Sequence, residues 1–380
     1  MMDFNSRVWK LLAGVLLLVL GGCVDKFEPD VLNSPQSYLV VDGFINLNGP
    51  TTIRLSRTKN KADAPVPVEA DATVTIQDEA GAAYPLPEQE AGTYQSAAMS
   101  LNPALRYRLR IRTAAGKEYA SDLVAARQTP PIDKVTWALT NRGLQVYVST
   151  HDDANATRYY RWRYDETWLF HSAYSSGVEY VDGVMQNRQE NIYYCWGNES
   201  STAIQLGSTS RLSQDVVKDF PLRLLESTSV KLGIKYSILV KQYALTAEEF
   251  AYWEKLKKNT ESLGGLFDPQ PTQLTGNVHN QADAAEPVIG YVGAATYTEK
   301  RLFIDRTELE SIVRFQTGYE SCGKPDTVKL ADVAFYFSNP NLLPLEGLYA
   351  GRTLIGYTSS PGVCVDCRLR GTNVKPDFWP

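Results

Sequence analysis

The chain has 380 residues, a formal net charge of −5 and 21% charged residues. That length allows two domains of ~100–200 residues each, and the mild negative balance excludes a global basic field of the kind that attracts nucleic acid. Tyrosine (22), phenylalanine (12) and tryptophan (7) stand among Val- and Thr-rich runs broken by Pro and Gly, which favours β structure.

Arg7 and Lys10 precede an apolar run from Leu11 to Leu20, which Gly21-Gly22-Cys23 closes. A run this short falls below the ~20 residues that cross a bilayer, so residues 1–22 read as a secretory signal. Small residues directly before Cys23 resemble a bacterial lipobox. That implies cleavage before Cys23, lipidation of its thiol, and a protein held at the outer membrane by acyl chains worth ~0.8 kcal/mol per buried methylene. Val24 stands where inner-membrane lipoproteins resemble one another in carrying aspartate. Lys26, Glu28 and Asp30 resemble the charged export tags of cell-surface lipoproteins. Residues 23–35 are then a lipidated tether.

From Tyr38 short strands follow in quick succession: Tyr38 to Leu47, Thr51 to Arg57, Ala72 to Gln77, Tyr94 to Ala97 and Arg106 to Thr113. They are separated by turns such as Asn48-Gly49-Pro50 and Glu79-Ala80-Gly81. This spacing predicts an Ig- or fibronectin-like β-sandwich over 36–128. Its sharpest alternation, Arg106 to Arg112, puts Tyr107, Leu109 and Ile111 on one face and four arginines on the other. Thr129-Pro130-Pro131 reads as a stiff linker. A larger, mainly-β, sandwich-like domain is expected over 133–380. Its predicted strands include Val135 to Leu139, Leu144 to Thr150, Tyr159 to Tyr164, Thr167 to Phe170, Arg301 to Asp305 and Val333 to Ser338. The segment Ser229 to Tyr243 reads as one extended piece, with Val230, Leu232, Ile234, Tyr236, Ile238 and Val240 on one side.

One helix is signalled near 246–262. Thr246 is its candidate N-cap, Glu249 completes a capping box, Leu245 can staple to Phe250, and Phe250, Trp253 and Leu256 share a face. Gly264-Gly265 stops the pattern.

Cys23 belongs to the lipid, so Cys195, Cys322, Cys364 and Cys367 remain. Four cysteines in an oxidising compartment predict two disulfides, with three pairings open. The Cys364-x-x-Cys367 spacing also fits a zinc knuckle or redox pair, but no second pair, histidine or βαβ context accompanies it. No metal or other cofactor is expected.

Several blocks together carry a family resemblance: Tyr38-Leu39-Val40-Val41-Asp42-Gly43, Tyr194-Cys195-Trp196, Val240-Lys241-Gln242-Tyr243, Gly264-Gly265-Leu266-Phe267-Asp268-Pro269, Pro287-Val288-Ile289-Gly290-Tyr291 and Lys375-Pro376-Asp377-Phe378-Trp379. Their combination resembles the Bacteroidota outer-membrane lipoproteins grouped as domain of unknown function 4249. The resemblance implies an accessory of a TonB-dependent β-barrel transporter. It brings no catalytic or binding residues with it.

Aromatic residues crowd between Tyr159 and Trp196. The alternation buries Tyr160, Trp162 and Tyr164 and sets Tyr159, Arg161 and Arg163 opposite. Tyr174 and Tyr180, in a loop, are candidate interface or ligand residues, since rings stack on sugars and anchor interfaces. The row Arg106, Arg108, Arg110 and Arg112 is a candidate anion site, because guanidinium groups match carboxylate and phosphate. Asp152, Asp153 and Asn155 have oxygen ligands that suit calcium, but their spacing matches no known loop and fits a turn as well. Only three histidines exist, none in a metalloprotease pattern, and no nucleophile elbow or phosphate loop appears. The expected function is therefore non-catalytic: a membrane-anchored partner of a TonB-dependent transporter, with a glycan or peptide as candidate ligand and no nucleic acid. The alternatives are a cell-surface glycan hydrolase using carboxylates such as Glu166 and Glu179, or a structural or adhesive surface lipoprotein.

Overall fold

The computed structural model describes residues 37–59, 65–261, 274, 276–309 and 316–380. The fold is mainly β, built as two sandwiches and a small C-terminal sheet. Cys23 and the segments expected to be a signal and a tether lie outside the described residues.

In the first sandwich one sheet runs in the order Leu39–Gly43, Thr52–Arg57, Thr93–Gln95, Glu88–Glu90. The facing sheet centres on Arg106–Arg112, paired along its length with Thr73–Asp78 and at its ends with Glu118–Ser121 and Val124–Arg127. Tyr107, Leu109 and Ile111 are buried, as the period-two alternation requires, and pack with Leu39, Ile53 and Ile76. The sandwich is not complete within 36–128. Residues 276–295, which sequence reasoning assigned to the second domain, return to it. Val278–Asn280 pairs antiparallel with Glu118–Ser121, and Ala294–Ala295 lies parallel between Ile45–Asn46 and Val124–Arg127. Val288 and Val292 join the core. Gly290 makes this return possible. A Cβ there would lie 2.1 Å from the Val41 carbonyl oxygen, and its φ of +137° suits glycine alone.

The Thr129–Pro131 linker is held on both sides. The Thr129 amide and hydroxyl bond to Thr296, and Gln242 donates to the Pro130 carbonyl. Beyond it, Ile132–Thr140, Gly143–His151 and Val216–Glu226 form a three-stranded sheet. It packs on a sheet ordered Tyr194–Ser200, Tyr159–His171, Lys235–Ala244, Tyr297–Asp305. Tyr160, Trp162, Tyr164, Tyr236, Ile238 and Val240 fill the space between the sheets with Leu144, Val146 and Val148. Trp162 stacks on Phe220 and satisfies its indole N–H on Gln242 (2.8 Å). The two strands expected at 159–164 and 167–170 are one continuous strand.

Two sequence expectations fail here. Val230–Leu232 is a 3₁₀ turn, not the start of a strand: the Ser229 hydroxyl caps Lys231, whose ammonium is drawn inward to Glu166 (2.7 Å). Val333–Phe337 is a short helix that follows directly on the Leu330–Asp332 turn. Its aromatic content mimics strand preference, but Phe337 is buried while Phe335 is exposed.

Residues 316–380 form a separate small unit, a sheet ordered Asp326–Lys329, Thr353–Pro361, Leu342–Ala350. It packs on the hairpin Val178–Val181/Val184–Asn187 around Ile192, Leu345 and Val365. Both predicted disulfides are present. Cys195–Cys367 fastens this unit to the second sandwich, and Cys322–Cys364 closes the unit on itself. The chain end is docked too: Trp379 is buried against Trp196 and Phe303. Among the described residues, no helix is long and apolar enough to cross a membrane.

Candidate functional site

The helix Ala247–Glu261 begins at Thr246, whose hydroxyl accepts the Glu249 amide (3.1 Å). The other half of the expected capping box is missing. The Glu249 carboxylate turns away from the cap, accepts the Trp253 indole N–H (3.3 Å), and is buried. Glu249 and Tyr252 are buried and Trp253 and Leu256 half-buried, a spacing of three, four and seven that defines one face. This face covers the outer side of the Tyr159–His171 strand and lies against the first sandwich. Gly293, from the returning segment, allows the approach: a Cβ there would sit 2.3 Å from a Glu249 carboxylate oxygen.

A cleft opens where the helix, the first sandwich and the second sandwich meet. Two adjoining cavities of about 430 and 360 Å³ share Asp42, Arg161, Arg163, Trp253 and Leu256. Phe44, Arg54 and Tyr291 complete the side toward the first sandwich, and Ala203 and Ile204 the side toward the second. Phe44 anchors the junction by packing edge-on against Tyr243 (5.0 Å) and Tyr297 (6.3 Å).

Arg161 is the unusual group. It lies on the face opposite Tyr160 and Trp162, as alternation predicts, but the helix roofs it and leaves it 9% exposed. Its Cζ is 3.9 Å from the Trp253 ring centroid and 5.2 Å from that of Tyr243. Its Nε has no hydrogen-bond partner. Burial lowers the guanidinium's affinity for its proton, partly offset by the Glu249 charge. Burial pushes the Glu249 carboxyl up to about 7, against the opposing pull of Arg161 and the Trp253 hydrogen bond. At the mouth Arg54 and Asp42 face one another at 4.0 Å, both largely exposed. The cleft thus combines three guanidinium groups and an aromatic wall, with a protonatable acid, Glu249, buried behind it under the helix.

None of the residues singled out from the sequence as binding candidates lines this cleft. Arg106 donates to the Leu123 carbonyl and Arg108 to Gln77, while Arg110 and Arg112 border a shallow groove beside Glu118. Tyr180 is half-buried, with its ring 6.1 Å from that of Phe337. Tyr174 packs against Ile192, Leu345 and Val365, and its hydroxyl donates to the Gly323 carbonyl (2.8 Å). Tyr174→Phe is therefore expected to lower stability by about 1 kcal/mol in urea denaturation. Loss of partner binding at unchanged stability would instead give the hydroxyl a recognition role. The Asp152 carboxylate accepts backbone N–H groups of Ala154, Ala156 and Thr157, which is turn chemistry. Glu166 is held by Lys231, Arg223 and Tyr236, and Glu179 by Arg188 in the separate hairpin. Arg161 and Glu249 escaped notice as site residues. The local signals explained both in other ways, one as a solvent-facing position and one as a cap.

A family model described as Domain of unknown function (DUF4249) matches residues 24–301. The chain belongs to this family. The DUF4249 match takes in the first sandwich, the helix, every residue lining the cleft and the second sandwich up to the middle of its Tyr297–Asp305 strand, and ends before the disulfide-bonded C-terminal unit. Among solved structures, a two fibronectin type-III domain segment from chicken tenascin is similar over 55% of this chain and 91% of that one, at 10% identity and a TM-score of 0.17. That likeness is too slight to bear on function. No curated protein matched the chain.

Proposed function

We propose that this DUF4249 member is a lipid-anchored, non-catalytic binding protein of the outer membrane that serves a TonB-dependent β-barrel transporter. The cleft between the sandwiches is the observation that carries the binding role: a concave space with aromatic walls and a few convergent polar groups is the usual form of a small-ligand site. The anchor supports the location. Arg7, Lys10, the apolar run and Cys23 fit a lipoprotein signal, and a short tether would keep the first sandwich near the bilayer. Charged Lys26, Glu28 and Asp30 favour the outer face of the cell. Protease treatment of intact cells checks this, and full protection would place the protein inside.

The partner is tested by affinity purification of the full chain from detergent-solubilised outer membranes. A TonB-dependent barrel is expected in near-equal amount, and Cys23→Ser is expected to abolish its recovery from the membrane fraction. Recovery of the wild-type protein without any barrel would overturn the transporter reading.

A further inference from the structure

We propose that the cleft between the sandwiches binds the carboxylate of a small organic acid with a flat, ring-sized body, and that Arg161 is the anchoring group. This rests on the reading of the protein as a binding protein and adds the class of ligand.

The argument starts from how this fold treats its buried cations. Lys231, also 9% exposed in its side chain, is matched by Glu166 (2.7 Å) and Glu199 (2.5 Å). Arg188 is matched by Glu179 at 3.2 Å. Arg161 is buried to a similar degree, but its guanidinium packs on the Trp253 and Tyr243 rings, whose faces supply no acceptor oxygen. Glu249, the acid that acts on it most strongly, makes its hydrogen bond to Trp253 instead. A desolvated guanidinium with an orphan Nε is costly. An incoming carboxylate would meet the part of the Arg161 guanidinium that lines the cavities, and a planar guanidinium receives that group in a two-point fork.

The surroundings narrow the charge and shape. Arg54, Arg161 and Arg163 are balanced in part by Asp42, which already faces Arg54. That leaves the charges of Arg161 and Arg163 for a ligand, and Asp42 on the shared wall disfavours a phosphate dianion more than a singly charged carboxylate. The cavities, at about 430 and 360 Å³, suit one or two rings rather than a long chain. Phe44, Trp253, Leu256 and Tyr291 give that body apolar and aromatic walls, which favour flat faces.

The test uses the mature chain made soluble by Cys23→Ser. It is titrated separately with glucuronate, benzoate, their methyl esters and inorganic phosphate, and followed by calorimetry and tryptophan fluorescence. Saturable binding of at least one carboxylate is expected, with the ester weaker by about ten-fold or more. The glucuronate and benzoate arms distinguish a sugar acid from an aromatic acid. Arg161→Lys, which keeps charge but loses the fork, is expected to weaken binding about ten-fold, and Arg163→Gln about three-fold. Arg163 is exposed, so its variant carries the test if Arg161→Lys does not fold. The proposal is overturned if neither acid binds below about 10 mM, if phosphate or the esters bind as well as the acids, or if the folded variants bind like the wild type. Failure here with the barrel still co-purifying removes the ligand class alone. Carboxylate binding without a barrel removes the transporter alone.

Discussion

Replacing Cys195 and Cys367 together by serine is expected to lower stability by about 5 kcal/mol. The two cysteines are 172 residues apart in sequence, and chain entropy makes a cross-link more stabilising the longer the loop it closes. The same relation gives about 4 kcal/mol for Cys322–Cys364, whose separation is 42. The longer link also joins two units. Without it, the C-terminal unit is held by the paired backbone bonds of Trp196 and Thr372, the Cys367 amide on the Ile192 carbonyl, the buried Trp379, and the packing of Leu345 and Val365 on Ile192 and Tyr174. Urea denaturation of the double variant checks this. Hydrogen exchange should show the 316–380 amides opening first, since they lose their covalent tie to the second sandwich. A stability change below about 1 kcal/mol would mean that the interface alone fixes the unit.

Four cysteines beyond the expected signal predicted two cross-links, but not which pairs they form, because connectivity is set by distances that sequence spacing does not contain. The same limit runs through the fold. Local periodicity located what is locally determined. Tyr107, Leu109 and Ile111 are buried on one face, Tyr160, Trp162 and Tyr164 fill the second core, and a helix runs over Ala247–Glu261 after Thr246. Long-range pairing left no such trace. Val278–Asn280 reads as a fragment of the second domain until Glu118–Ser121 is seen beside it, and the Gly290 conformation makes sense only against Val41. The site was illegible for the same reason. Arg161 stands opposite a core row, which in an isolated sheet means solvent. Its burial depends on a helix that begins some 86 residues later in the chain. Glu249 occupied a position that capping chemistry explained well enough to hide its second role.

Glu249→Gln is expected to stabilise the protein at high pH and to leave it nearly unchanged at low pH. The carboxyl is fully buried, and burial is the main cause that pushes it up to about 7 from an ordinary value of 4.5, with Arg161 and the Trp253 N–H pulling the other way. A folded state that holds a proton more tightly than the unfolded chain is favoured at low pH. That advantage is complete below about 4.5 and disappears as pH rises through about 7. The difference corresponds to about 3 kcal/mol of destabilisation in the ionised wild type, which glutamine avoids because it cannot ionise. Glutamine also keeps an acceptor for the Trp253 indole. Urea denaturation at pH 4.5 and pH 8.5 should therefore show the variants converging at the lower value and separating at the higher, and equal stability at both would refute the assignment. The carboxylate lies against Gly293, in the segment that completes the first sandwich. Ionisation therefore places its cost on the contact between helix and sandwich that shapes the cleft.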